Sequence, residues 1–184
     1  RQLGAPLRGY ELPDHPVQRE VQAVLAALGG LDRLPDPGID GCSLPVHPMP
    51  LRALARAAAH LAAPDSLAPS RAAALARIAD AMRAEPFLVA GTDRCCTAVM
   101  RAVPGLIAKV GAEGVYLAAL PSRGLGLALK AEDGAVRAAE VALLALLDGL
   151  GALDEVARAA LAGFARPVLR NYAGTEVGWV APAA

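Results

Sequence analysis

Lys109 is the first residue whose type and placement point to chemistry. It interrupts the apolar run Leu106–Val110 and is followed at once by Val110 and Gly111. A lysine in a buried strand is costly unless something pairs with it or it handles protons. One reading puts it in a site on the exposed face of a sheet. The other is an edge-strand lysine that keeps its ammonium in water.

Cys42 is the second candidate. It lies in Gly38-Ile39-Asp40-Gly41-Cys42-Ser43-Leu44-Pro45, two residues after a carboxylate and five before His47. Gly and Pro are too dense there for a helix or a central strand, and loops held in this way commonly carry sites. A thiolate ligand or nucleophile needs partial exposure and a metal or cationic neighbour. A structural thiol is the alternative, and one Cys–His pair does not complete a tetrahedron. Asp40 can orient a neighbour or cap the loop. Cys95 and Cys96 fall in the first turn of a predicted helix, where the dipole lowers a thiol pKa, although small core residues fit there equally. Ser43, Ser66, Ser70 and Ser122 show neither a Gly-x-Ser-x-Gly elbow nor a Ser-x-x-Lys spacing. The residues alone supply no complete catalytic set.

Periodicity and punctuation give the elements that position these residues. Residues 1–15 read as loop. A helix is expected over 16–28, started by Pro16 with Asp14 or His15 in the capping region and ended at Gly29-Gly30. After the cysteine loop, helices are expected over 50–63 and 68–84. Their inward residues are Leu51, Leu54, Ala55, Ala58 and Leu61 in the first, and Leu75, Ile78, Ala79 and Met82 in the second. Phe87–Ala90 is a short apolar piece, and Thr92 or Asp93 is expected to cap a helix from Arg94 to Val103. Three extended pieces follow, Leu106–Val110, Val115–Leu120 and Gly124–Lys130, joined by tight turns. A helix over 135–150 turns Val136, Ala139, Leu143, Leu146 and Leu147 inward. A shorter helix spans Leu153–Ala165, and Asn171–Val180 reads as a terminal strand. Helices before and after one antiparallel meander indicate an α/β chain of the layered α+β kind.

Composition narrows the function classes. The 184 residues are 55% hydrophobic but only 3% aromatic, which leaves little for base stacking. Lys and Arg together number 18, as do Asp and Glu, so no basic stripe exists to neutralise phosphates. A nucleic-acid partner is therefore not expected. No apolar stretch approaches the ~18 residues a membrane span requires. Three cysteines, two of them adjacent, make no disulfide framework and lead us to expect a reducing, cytoplasmic setting.

Five segments carry a family resemblance: Leu-Arg-Gly-Tyr-Glu-Leu-Pro-Asp-His-Pro-Val-Gln (7–18), Ile-Asp-Gly-Cys-Ser-Leu-Pro-Val-His-Pro-Met-Pro-Leu (39–51), Val-Ala-Gly-Thr-Asp-Arg (89–94), Ala-Lys-Val-Gly-Ala-Glu-Gly-Val-Tyr (108–116) and Leu-Lys-Ala-Glu-Asp-Gly-Ala-Val-Arg-Ala (129–138). Together they resemble the asparaginase II family of bacterial L-asparaginases. The resemblance implies a fold like that of serine β-lactamases and glutaminases, a five-stranded antiparallel sheet flanked by helices. It implies hydrolysis of L-asparagine through a serine–lysine acyl-enzyme, with Lys109 as the lysine of a second Ser–Lys pair. Lys109-Val110-Gly111 resembles the Lys-Thr-Gly triplet of those folds, with valine in place of the hydroxyl residue. Gly111 and Thr92 would contact substrate, Cys42 would ligate zinc with Asp40 ordering that site, and Cys96 would line the pocket. A homodimer is implied for the full enzyme. The family's nucleophilic serine and its other zinc ligands are not matched, so we expect the C-terminal half of such an enzyme, inactive alone. The alternatives are a non-catalytic homologue acting as a binding module and a related glutaminase-type amidase.

Overall fold

Pro16 starts the first helix as its residue type requires, since its fixed φ suits a first turn and its missing N–H is not needed there. The computed structural model describes residues 3–183. The chain divides into two compact units, Arg1–Ala57 and Ala58–Ala184.

In the first unit, α1 (Pro16–Gly29) is capped by His15, whose Nδ1 accepts the Val17 N–H at 3.2 Å. The other ring nitrogen of His15 reaches Pro6 O at 2.9 Å, and Gln18 Nε2 donates to Tyr10 O at 2.8 Å. These bonds tie the turn-rich opening segment to the helix. Gly30 ends α1 in the left-handed conformation (φ 66°). Gly29 allows close packing inside this unit, because a Cβ there would lie 3.0 Å from Met49 Cε and 3.2 Å from Ala53 Cβ. The cysteine loop forms a minimal hairpin, β1 (Gly38–Ile39) antiparallel to β2 (Pro45–Val46). The helix α2 (Leu51–Ala62) follows.

The second unit contains α3 (Pro69–Ala84), α4 (Pro86–Ala90) and α5 (Cys95–Ala102). Next come β3 (Ile107–Val110), β4 (Val115–Leu120) and β5 (Leu125–Lys130), then α6 (Val136–Gly149) and α7 (Glu155–Ala165). The three strands form an antiparallel meander in the order β3-β4-β5. Register assigns the faces: Ala108 opposes Ala118, Val110 opposes Tyr116, and Tyr116 opposes Leu129. Alternation turns these to one side, where Ala108, Tyr116, Ala118, Leu120 and Leu129 pack with α5, α6 and α7 in the main core. The other side carries Ile107, Lys109, Leu117 and Ala119. At one end of it, Ile107 and Ala119 pack against Ala79, with Leu61, Ala62 and Met82 around them. Among the described residues, no helix is long and apolar enough to cross a membrane.

The α/β class with an antiparallel sheet between helices is as expected, but details differ. The sheet has three strands among the described residues, matching the three extended pieces expected of this chain. The terminal segment is a second hairpin, β6 (Val168–Arg170) with β7 (Glu176–Trp179). Its reversal is made by Asn171, whose Oδ1 accepts the N–H groups of Ala173 and Thr175. Phe87–Ala90 lies in a single helical turn, because Pro86 begins α4 as well as ending α3. Neither Thr92 nor Asp93 caps α5; Arg94 holds that position without a side-chain bond, and Asp93 turns the chain at φ 54°. Leu51, Ile78, Val136 and Leu146 are exposed instead of inward. In these alanine-rich helices Ala58, Ala79 and Ala139 are buried as expected, and Ala53 is buried beside them.

Candidate functional site

The candidate residues fall in both units. Asp40 and Cys42 belong to the first, and Thr92, Cys96, Lys109 and Gly111 to the second.

Asp40 opens the tip of the first hairpin. Its N–H donates to Leu44 O at 2.9 Å, Ser43 N–H donates to Asp40 O at 2.8 Å, and Ser43 adopts φ 67° to close the turn. The carboxylate of Asp40 accepts the Gly41 N–H at 2.7 Å and takes the Cys42 thiol at 3.7 Å. Asp40 thus both caps the loop and orients the thiol. Cys42 is exposed, so it is not a buried structural thiol. His47 is turned to Pro35 O at 3.4 Å, a bond internal to the loop. Structural zinc takes four donors and catalytic zinc three protein ligands. Among the described residues, no three of His, Cys, Asp and Glu are gathered in a way that could hold a metal. The Cys42–Asp40 pair therefore does not fit a complete zinc site by itself.

Lys109 lies on β3, at one edge of the sheet, on the face opposite the main core. Its side chain is exposed and Nζ donates to Val110 O at 2.7 Å. The lysine is thus on an edge strand with its ammonium exposed, as the edge-strand reading expects. Gly111 donates its N–H to Val115 O at 2.8 Å, so that amide is engaged in the turn. A Cβ at Gly111 would come within 3.2 Å of Val115 Cβ.

Because the Gly111 amide reaches across to β4, alternation turns the Val110 amide outward, to the sheet edge. There it meets Cys96 in the first turn of α5, donating to Sγ at 3.2 Å. Cys96 Sγ is also 2.9 Å from Tyr116 Oη. Cys96 and Tyr116 are each 1% exposed. The thiol is enclosed and fastens α5 to the strand that bears Lys109. Cys95 is a small core residue, the alternative weighed for this pair, and burial outweighs the dipole effect there, pushing its pKa up to about 12. Desolvation is the main cause, with Glu140 and Cys96 adding to it and a hydrogen bond from Tyr116 opposing it. The Tyr116 phenol is likewise held protonated, first by burial and then by the neighbouring thiols. Glu140 has its pKa raised by desolvation, with Arg94 pulling the other way.

Thr92 is exposed on the turn before α5. The threonine that organises this turn is Thr97, whose buried hydroxyl donates to Gly91 O at 2.8 Å. Sequence reasoning missed Thr97 and Tyr116 as polar groups of the site. Tyr116 had a legible signal, since alternation puts it on the same face as Val110, directly across the β3–β4 turn. All four serines are exposed, and neither lysine hydrogen-bonds a serine: Lys109 and Lys130 each donate to a main-chain carbonyl.

No curated protein matches the chain. The family model of L-asparaginase II matches residues 1–182, essentially the whole sequence. With Lys109-Val110-Gly111 at the sheet edge and the Asp-Gly-Cys loop in place, the chain belongs to the L-asparaginase II family.

Proposed function

We propose that this chain serves the hydrolysis of L-asparagine to L-aspartate and ammonia, with Lys109 as a proton carrier. The family's name points to an asparaginase-type hydrolase with asparagine as substrate. The observation that carries the finer reading is the exposed ammonium of Lys109, held at Val110 O on an uncovered stretch of sheet. In the reaction, a serine hydroxyl passes its proton to a lysine and attacks the side-chain amide carbon. The adduct collapses as the amide nitrogen takes up a proton and leaves as ammonia. Water then cleaves the acyl ester, freeing aspartate and the serine. Lys109 accepts and returns a proton in this cycle, while Thr92 and the bare Cα of Gly111 border the substrate. Among the described residues no serine is bonded to a lysine, so this reading assigns the attacking hydroxyl to none of them. That same observation favours the second reading, a homologue that binds without catalysis.

The test is ammonia release from L-asparagine and from L-glutamine. It is measured on this chain and on the longest open reading frame that contains it. Lys109→Met in the longer protein is expected to lower kcat at least ~100-fold, the usual scale for losing a positioned proton carrier. Hydrolysis unaffected by Lys109→Met would remove Lys109 from the mechanism, and no hydrolysis by the folded longer protein would favour the binding module. For zinc, Cys42 is proposed as a single thiolate donor with Asp40 orienting it. The chain alone should lose zinc on dialysis against a mild chelator. One retained equivalent, lost in Cys42→Ala, would overturn the single-donor reading and show that the chain supplies enough ligands for zinc by itself. A cytoplasmic homodimer completes the proposal.

A further inference from the structure

We propose that Tyr116 is a positioning residue for Lys109, acting through Cys96. This deepens the asparaginase reading and rests on it. Val110 lies at a sheet edge, where both of its main-chain polar groups would ordinarily face water. Here its N–H is taken by Cys96 Sγ at 3.2 Å and its carbonyl by Lys109 Nζ at 2.7 Å. Cys96 is in turn fixed by Tyr116 Oη at 2.9 Å. The result is a continuous run of contacts from the core phenol, through the thiol, to the residue on which the lysine ammonium rests.

Packing alone does not call for these residue types. The surrounding cluster is apolar, built from Val99, Leu143, Leu144 and Leu147, and both polar side chains are about as deeply buried as those neighbours. A buried hydroxyl is destabilising unless it is bonded, so a phenylalanine would fill the volume without that requirement. What the Tyr116–Cys96 pair adds is a fixed acceptor at one point of an edge strand, next to the lysine. An edge strand free of such an anchor frays, and a proton carrier displaced by an ångström loses much of its effect. Cys95, Glu140 and Arg94 also face this group electrostatically, but none of them bonds Val110.

The experiment compares Tyr116→Phe, Cys96→Ala and Cys96→Ser in the intact protein. It uses residue-resolved hydrogen exchange at the Val110 amide together with asparaginase kinetics. Loss of one hydrogen bond should speed Val110 exchange on the order of fivefold in Tyr116→Phe and Cys96→Ala. Cys96→Ser keeps an acceptor and should restore protection. In the same variants kcat should fall severalfold with KM nearly unchanged, again with partial rescue by serine. Unchanged Val110 exchange overturns the tether whatever the activity. Faster exchange with normal kcat overturns the positioning role. Faster exchange in a folded protein without any asparaginase activity leaves the tether standing and overturns the asparaginase reading.

Discussion

Cys42 and Cys95 show how little a residue type says before its surroundings are known. Both are free thiols, one exposed beside a carboxylate and the other 1% exposed under Tyr116. At pH 8 a thiol reagent should label Cys42 within minutes and leave Cys95 and Cys96 untouched until the protein unfolds. Peptide mass spectrometry would read the three sites apart, and rapid labelling at Cys95 would contradict the burial described. The raised pKa also has a stability consequence. Folding lifts Cys95 from its ordinary 9.0 to about 12, so the folded state keeps a proton that the unfolded state gives up. That contribution is fully present below pH 9 and fades as pH climbs towards 12, a loss of up to about 4 kcal/mol. Cys95→Ala should lower stability at pH 7 by leaving a cavity, yet flatten the decline between pH 9 and 12. Chemical denaturation across that range measures the slope, and parallel slopes for variant and parent would remove Cys95 as its cause.

At the scale of elements, the sequence was most informative where one residue dominates the local physics. Pro16 and the Gly29-Gly30 pair bounded α1, and the three strands of the meander fell within a residue of expectation, because alternation and turn formers agreed there. The caps of α5 were not legible, and the inward faces of α2, α3 and α6 were legible only in part: Ala58, Ala79, Ala139, Leu143 and Leu147 are buried as expected, while Leu51, Ile78, Val136 and Leu146 are not. A helix with alanine on every side offers little contrast between faces, so Ile78 was expected inward along with Ala79, and only Ala79 is buried. The site was half legible. The types Lys109, Cys42 and Asp40 could be picked out, but the bond from Cys96 to Val110 joins residues that only tertiary packing brings together.

Two element-level predictions follow from close contacts. Gly114 holds φ 67°, and a Cβ there would come 2.8 Å from Ala131 Cβ and 3.0 Å from the Gly134 carbonyl carbon. Gly114→Ala should cost about 1–3 kcal/mol, through the left-handed backbone and the crowding together. Urea unfolding would detect it, and a neutral result would mean that the two turns can separate freely. Asp154 caps α7 by accepting the Ala157 N–H at 2.7 Å. Asp154→Ala should cost ~1 kcal/mol by the same measurement, with Asp154→Asn largely retaining the cap.

For the molecule as a whole, the decisive feature is the apolar surface of the last hairpin. Val168, Leu169, Val177 and Trp179 are between 41% and 62% exposed on two strands of three and four residues. A two-stranded hairpin is marginal in water without a covered face. Internally it is steadied by the Arg166 guanidinium 4.2 Å from the Trp179 ring centroid and by Val180 N–H donating to Pro167 O. Those contacts leave most of its apolar area open, and exposed area of this kind promotes association. The chain on its own is therefore expected to self-associate at micromolar concentration, and Trp179 makes that visible as the single tryptophan. On concentration its emission should shift to the blue as water leaves the ring, in step with rising mass by light scattering. Trp179→Ser should weaken the association while leaving helical content unchanged. A monodisperse monomer whose emission does not move with concentration would show that the hairpin is stable with its apolar side chains in water.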